Sequence, residues 1–92
     1  MKLILSLTIS LWSLLIFGQD VIFLDEVTKR PISNVNIFNN NFGTISNVDG
    51  IANLSSFNAN DFIQIKHISY IDLKIEKNGL KDKVYLYPNS YI

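Results

Sequence analysis

From Val21 onward, apolar and polar positions alternate with a period of two, the mark of strands that bury one face. Val21-Ile22-Phe23-Leu24 is a short apolar run closed by Asp25-Glu26. Val35 and Ile37 share one face of a second strand, and Thr44-Ile45-Ser46 reads as a third. Ala52 and Leu54 point the same way in a fourth. In the run Phe62 to His67, Ile63 and Ile65 fall on one face and Gln64 and Lys66 on the other. Ile71, Leu73 and Ile75 then alternate with Asp72, Lys74 and Glu76. Val84 and Leu86 alternate with Lys83, Tyr85 and Tyr87. No stretch after Phe17 carries a helical stripe.

Turn residues fall between these runs. Pro31 lacks an amide donor and cannot sit inside a central strand. Asn39-Asn40-Asn41 before Gly43 tolerates left-handed backbone angles. Asp49-Gly50 is a strong hairpin signal, because glycine takes a positive φ without steric cost. Asn58-Ala59-Asn60-Asp61 and Asn78-Gly79 mark two more turns. Seven short strands separated in this way predict an all-β fold, a β-sandwich with one wet and one buried face per sheet.

The N-terminus reads differently. Met1-Lys2 is a short positive end, Leu3 to Phe17 is almost wholly apolar, and Gly18-Gln19-Asp20 turns polar. That order is a secretory signal peptide, residues 1–18, cut after Gly18. A membrane-spanning helix needs about 20 apolar residues. This run is shorter, and no basic stop-transfer cluster follows it, so no transmembrane segment is expected after cleavage. The mature domain is then residues 19–92 and is expected to be exported.

The chain of 92 residues holds one small domain. Eight basic and eight acidic side chains balance, and removal of Lys2 changes little. A nucleic-acid binder needs a basic face to displace counterions, so that class is excluded. Cysteine is absent, so no disulfide supports the core. A domain of this size buries only about 60% of its unfolded surface, and its stability is marginal without a neighbour. The chain ends on Pro88-Asn89-Ser90-Tyr91-Ile92, and both a stand-alone module and a chain continuing past Ile92 stay open at this point.

Chemistry-bearing residues are sparse. His67 is the only histidine, and no elbow presents Ser69 to it as a nucleophile. The acidic residues near turns lack the spaced glutamate of a calcium loop, and turn chemistry accounts for them. One histidine and no cysteine leave a zinc site short of ligands. The four glycines are scattered and open no helix, so no phosphate loop exists. No catalytic residue, cofactor or metal is expected. Tyr85 and Tyr87 point outward by parity and form the candidate contact surface, one that equally covers an edge or meets a following domain.

The order of these elements resembles the carboxypeptidase-regulatory-like domain. Its bacterial branch runs through a D-x-x-T-x-x-P-I turn, V-x-I, G-T-x-T-D-x-x-G, a strand, and later G-Y. Asp25, Thr28, Pro31 and Ile32 match the turn, and Val35 and Ile37 the strand after it. Gly43, Thr44, Ser46, Asn47, Asp49 and Gly50 span the glycine-bounded element, and Leu54 lies in the strand that follows. Asp61, Ile63 and Ile65 precede Tyr70, which fits the final Tyr, and Val84, Leu86 and Pro88 fit the closing V-x-L-x-P. Ser69 stands in place of the usual Gly, Ala52 where a large aromatic is common, and Asn47 in place of Asp.

The resemblance implies a transthyretin-like (prealbumin-like) β-sandwich. It also implies a non-catalytic accessory or interaction module, as found at the N-terminus of TonB-dependent outer-membrane receptors, in related surface proteins and beside peptidase domains. The expected partner is a protein, a following or neighbouring domain of such an assembly. The alternative is a stand-alone module that binds a carbohydrate or a peptide through exposed aromatics or an open strand edge.

Overall fold

The computed structural model describes residues 20–89. The expected signal peptide over 1–18, and the last residues Tyr91 and Ile92, lie outside them. Seven strands follow one another: β1 (Asp20–Asp25), β2 (Asn36–Phe38), β3 (Gly43–Ile45), β4 (Ile51–Asn53), β5 (Phe62–Lys66), β6 (Leu73–Glu76) and β7 (Lys83–Leu86). One turn of 3₁₀ helix, Lys77–Gly79, takes the place of the Asn78-Gly79 turn between β6 and β7. Among the described residues no helix is long and apolar enough to cross a membrane.

The strands form two sheets, one of three strands in the order β4-β1-β7 and one of four in the order β3-β2-β5-β6. The arrangement is all-β and sandwich-like. Alternation decides which side chains face inward. Val21 and Phe23 of β1, Ala52 of β4, and Val84 and Leu86 of β7 turn one way. Ile37 of β2 and Ile63 and Ile65 of β5 face them, and Ile32, Val35, Leu54 and Phe57 complete one core. Leu73, Ile75, Tyr70 and Leu80 pack against its side.

Three expectations need correction. Asp49-Gly50 does not close a hairpin, because β3 and β4 belong to different sheets. Asn47 Oδ1 accepts from the Asp49 and Ile51 amides, and the Asn47 amide donates to the Ile51 carbonyl. The result is a corner that carries the chain across the core. Glycine is required there, with φ +78°, since a Cβ at position 50 would stand 2.7 Å from the Phe23 carbonyl oxygen. Ile71 does not continue the half-buried row of Leu73 and Ile75. It precedes β6 and is exposed, because its amide is drawn to the Tyr87 carbonyl at 2.9 Å. His67 lies past the end of β5 and begins a turn in which the Tyr70 amide donates to its carbonyl.

Ser46 shows why a small hydroxyl belongs in the matched element. It is buried, accepts from the Val35 amide at 2.9 Å and donates to the Ile32 carbonyl at 2.8 Å. Both groups are inside the protein, where an unpaired polar atom is costly. Gly43 lies opposite Phe38 in the β2–β3 ladder, with an ordinary 3.7 Å between a built Cβ and that of Phe38.

Candidate interaction site

The site begins with the turn that follows β1. Asp25 ends the strand with its side chain inward, and its Oδ1 accepts from the Val27 amide at 2.7 Å and the Thr28 amide at 2.9 Å. Its carbonyl accepts from the Lys29 amide. Thr28 Oγ1 accepts from the Arg30 amide at 3.3 Å, and Lys29 takes φ 63°. The chain thereby folds back, so that Pro31 bridges Leu24 and the Ile32 amide donates to the Phe23 carbonyl. This turn pushes Val27 out, leaving it 73% exposed.

A second loop meets it from the other sheet. The Tyr70 hydroxyl donates to Asp25 Oδ2 at 2.7 Å, across 45 positions of sequence. His67 packs edge-on against the Tyr70 ring, with centroids 5.1 Å apart, and its Nδ1 accepts from the Ser69 amide. The loop is bound to the segment after β7. Tyr70 bridges Pro88, the Asn89 amide donates to the Ser69 carbonyl, and Asn89 Nδ2 donates to the Tyr70 carbonyl at 3.1 Å.

Between the two loops opens a cleft of about 490 Å³ lined by Asp25, Val27, Thr28, Ile71, Tyr87 and Pro88. Ile71 and Tyr87 are each more than half exposed, at 52% and 58%. Apolar walls around a few fixed polar groups are the usual composition of a binding cleft. The polar floor is the Asp25 carboxylate. The Tyr70 hydroxyl, then the Thr28 amide, hold it ionised and place it below its ordinary 3.8, against the opposing effect of desolvation. Tyr70 is pushed up to about 12, first by burial and then by its hydrogen bond to Asp25 and that residue's charge.

The motif residues separate by role into four sets. Asp25 and Thr28 line the cleft, and Tyr70 is bonded to Asp25. Val35, Ile37 and Leu54 are core, Ser46, Asn47, Asp49 and Gly50 build the corner, and Pro31, Gly43 and Thr44 serve the strands. The two expected contact tyrosines also diverge. Lys29 Nζ lies 4.9 Å above the Tyr85 ring and occupies that face, whereas Tyr87 borders the cleft. Val27 and Ile71 were missed as surface residues. The polar company of Val27 in Asp25-Glu26-Val27-Thr28-Lys29 was the available signal, since a lone apolar residue in a polar turn has no core to enter.

Among the described residues no group of three His, Cys, Asp or Glu side chains could hold a metal ion. Neither carboxylate oxygen of Asp25 is left without a donor. The cleft can therefore receive apolar groups and position them, with Asp25 and Tyr70 serving to join its two walls. Comparison with known proteins finds no matching family model, no matching curated protein and no matching solved structure.

Proposed function

We propose that this chain is a non-catalytic exported module with a transthyretin-like β-sandwich, and that it holds a protein partner at the cleft between the Asp25–Arg30 turn and the His67–Ile71 loop. The observation that carries this reading is the cluster of Val27, Ile71 and Tyr87, exposed side by side around a cleft with a tied-down floor. Apolar groups gathered on a rigid surface mark contact sites more often than chance exposure does. The pairing of Asp25 with Tyr70 supports the likeness to carboxypeptidase-regulatory-like domains, because two motif residues far apart in sequence serve one joint. On this reading the module works in the periplasm or at the outer membrane of a Gram-negative bacterium. It acts as the N-terminal domain of a TonB-dependent receptor or a related surface protein.

The test is site-directed photocrosslinking in the exporting host. A photoreactive phenylalanine replaces Tyr87 and, as a control, the exposed Phe62 on the outer face of the four-stranded sheet. Crosslinking of one defined protein from position 87, absent from position 62 and lost with Val27→Asp, is the expected result. Equal labelling from both positions refutes the reading. A hydrolytic activity that disappears in His67→Ala would refute the non-catalytic assignment. The exposed Tyr87 ring is the one observation that favours a stand-alone glycan-binding module instead. Saturable binding of a polysaccharide that is abolished in Tyr87→Ala would replace the protein partner with a sugar.

A further inference from the structure

β7 is the outer strand of its sheet, and among the described residues only β1 pairs with it. The pairing is parallel, with Ile22 opposite Lys83 and Leu24 opposite Tyr85. The Ile22 amide donates to the Asp82 carbonyl and the Glu26 amide to the Leu86 carbonyl. In such a ladder alternate residues of a strand turn their backbone groups to the same neighbour. Asp82, Val84 and Leu86 therefore face β1, while the N–H and C=O of Lys83 and Tyr85 face away.

Two residues further along, that same side is already occupied. The Tyr87 carbonyl accepts from the Ile71 amide at 2.9 Å and the Asn89 amide donates to the Ser69 carbonyl at 3.1 Å, in antiparallel sense. Residues 69–71 are thus the start of a fourth strand for this sheet. It stops at Ile71, because Leu73–Glu76 pairs with β5 in the other sheet. The rungs at Tyr85 and Lys83 continue the line of that aborted strand. Beside them lies a hollow of about 120 Å³ lined by Ile71, Asp72, Leu73, Tyr85, Leu86 and Tyr87.

We propose that an extended segment of a partner protein completes this strand, running antiparallel to β7 in line with residues 69–71 and placing one aliphatic side chain in the hollow. This rests on the reading of the chain as an interaction module. Unpaired rungs select an extended backbone, since only a strand offers donors and acceptors at that spacing. The charges orient it. Asp72, whose Oδ2 faces Lys66 Nζ at a loose, solvent-exposed 3.8 Å, borders the end where the segment enters, and Lys83 stands where it leaves, so the segment carries a basic residue that competes for Asp72 before its apolar position and an acidic one after. Lys83 also guards the edge against self-association, as edge lysines do. Its side chain stands on the sheet face and leaves the rung open.

The test pans a displayed library of random heptapeptides against the purified protein and follows amide exchange by NMR. In the free protein the Lys83 and Tyr85 amides exchange freely. With a selected peptide at saturation they slow at least tenfold. Tyr85→Pro removes an outward N–H without touching the bonds of Val84 or Leu86 to β1, and weakens binding at least tenfold. Lys83→Pro is the second variant, should Tyr85→Pro unfold. Tyr85→Ala keeps the rung and weakens binding less than fivefold. Peptides that bind without protecting these two amides, and that survive Tyr85→Pro but not Tyr87→Ala, overturn the strand addition and leave the cleft as the contact site. A library that returns no binder also overturns it, and the crosslinking from position 87 then judges the interaction reading separately.

Discussion

Replacing Gly50 by alanine puts the corner between the two sheets under direct test. Gly50 has φ +78°, and a Cβ there meets the Phe23 carbonyl oxygen at 2.7 Å, Pro31 Cβ at 3.1 Å and the Ile32 amide nitrogen at 3.2 Å. The left-handed backbone alone costs a non-glycine residue about 1–2 kcal/mol. The clash falls on backbone that cannot move freely. The Phe23 amide donates to the Gly50 carbonyl, and the Phe23 carbonyl accepts from the Ile32 amide. Straining two such bonds adds about 1 kcal/mol each. Gly50→Ala should therefore lose about 3 kcal/mol, against a total of about 4–10 kcal/mol for a domain of this size. The expected fall in Tm is on the order of 15 °C.

Urea and thermal unfolding measure this loss, with Gly43→Ala as the control. A Cβ at Gly43 would make only ordinary contacts, 3.7 Å from Phe38 Cβ, and Gly43→Ala should change stability by less than about 0.5 kcal/mol. Gly50→Asn separates the two causes, since asparagine tolerates the positive φ but carries the same Cβ. If the clash dominates, Asn and Ala are equally harmful. A Gly50→Ala protein within about 1 kcal/mol of the parent would show that the corner relaxes, and would refute the argument.

Three other outcomes are expected. Ser46→Ala leaves the Val35 amide and the Ile32 carbonyl unpaired inside the protein, a loss of about 3 kcal/mol in urea unfolding, with no change in peptide or partner binding beyond that. Tyr70→Phe flattens the pH dependence of stability at both ends. Asp25 is depressed in the folded state, so its contribution is present above about 3.8 and lost as pH falls through the folded value; Tyr70 is raised to about 12, so its contribution is present below 10.0 and lost as pH rises toward 12. An acid limb of unchanged depth in Tyr70→Phe would show that the hydroxyl does not hold Asp25 ionised. Ile71→Asp should leave Tm within about 2 °C, because the side chain is already exposed, and should abolish crosslinking from position 87.

The strands were legible because each has one wet face. Ile63 and Ile65 against Gln64 and Lys66, or Val84 and Leu86 against Lys83 and Tyr85, can alternate in only one structure. The pairing was less legible. β1 is apolar on successive positions, Val21-Ile22-Phe23-Leu24, and such a run does not say which neighbours it takes or in which direction. Its parallel contact with β7 joins the first and last strands described, and no local signal encodes it. Asp49-Gly50 announced a tight turn correctly but not its destination, because a corner between sheets and a hairpin within one need the same positive φ. Asp25 was legible as a turn former through Thr28. Its second partner, Tyr70, was not, since both residues have sufficient local explanations alone. Ile71 misled because it kept the alternation of β6 while its amide was committed to the Tyr87 carbonyl.

The parallel contact between β1 and β7 fixes how the domain answers tension. Residues Ile22–Asp25 lie beside Lys83–Leu86 and run in the same direction. A force applied at Asp20 and at Asn89 pulls the beginning of one strand against the end of the other, along their common axis. The bonds between them are loaded in shear, so they resist together instead of opening one after another like a zipper. Forced rupture follows the rate of unfolding and not the equilibrium stability. A small domain of modest thermodynamic stability should therefore withstand a pull between these two points better than its equilibrium stability alone would suggest.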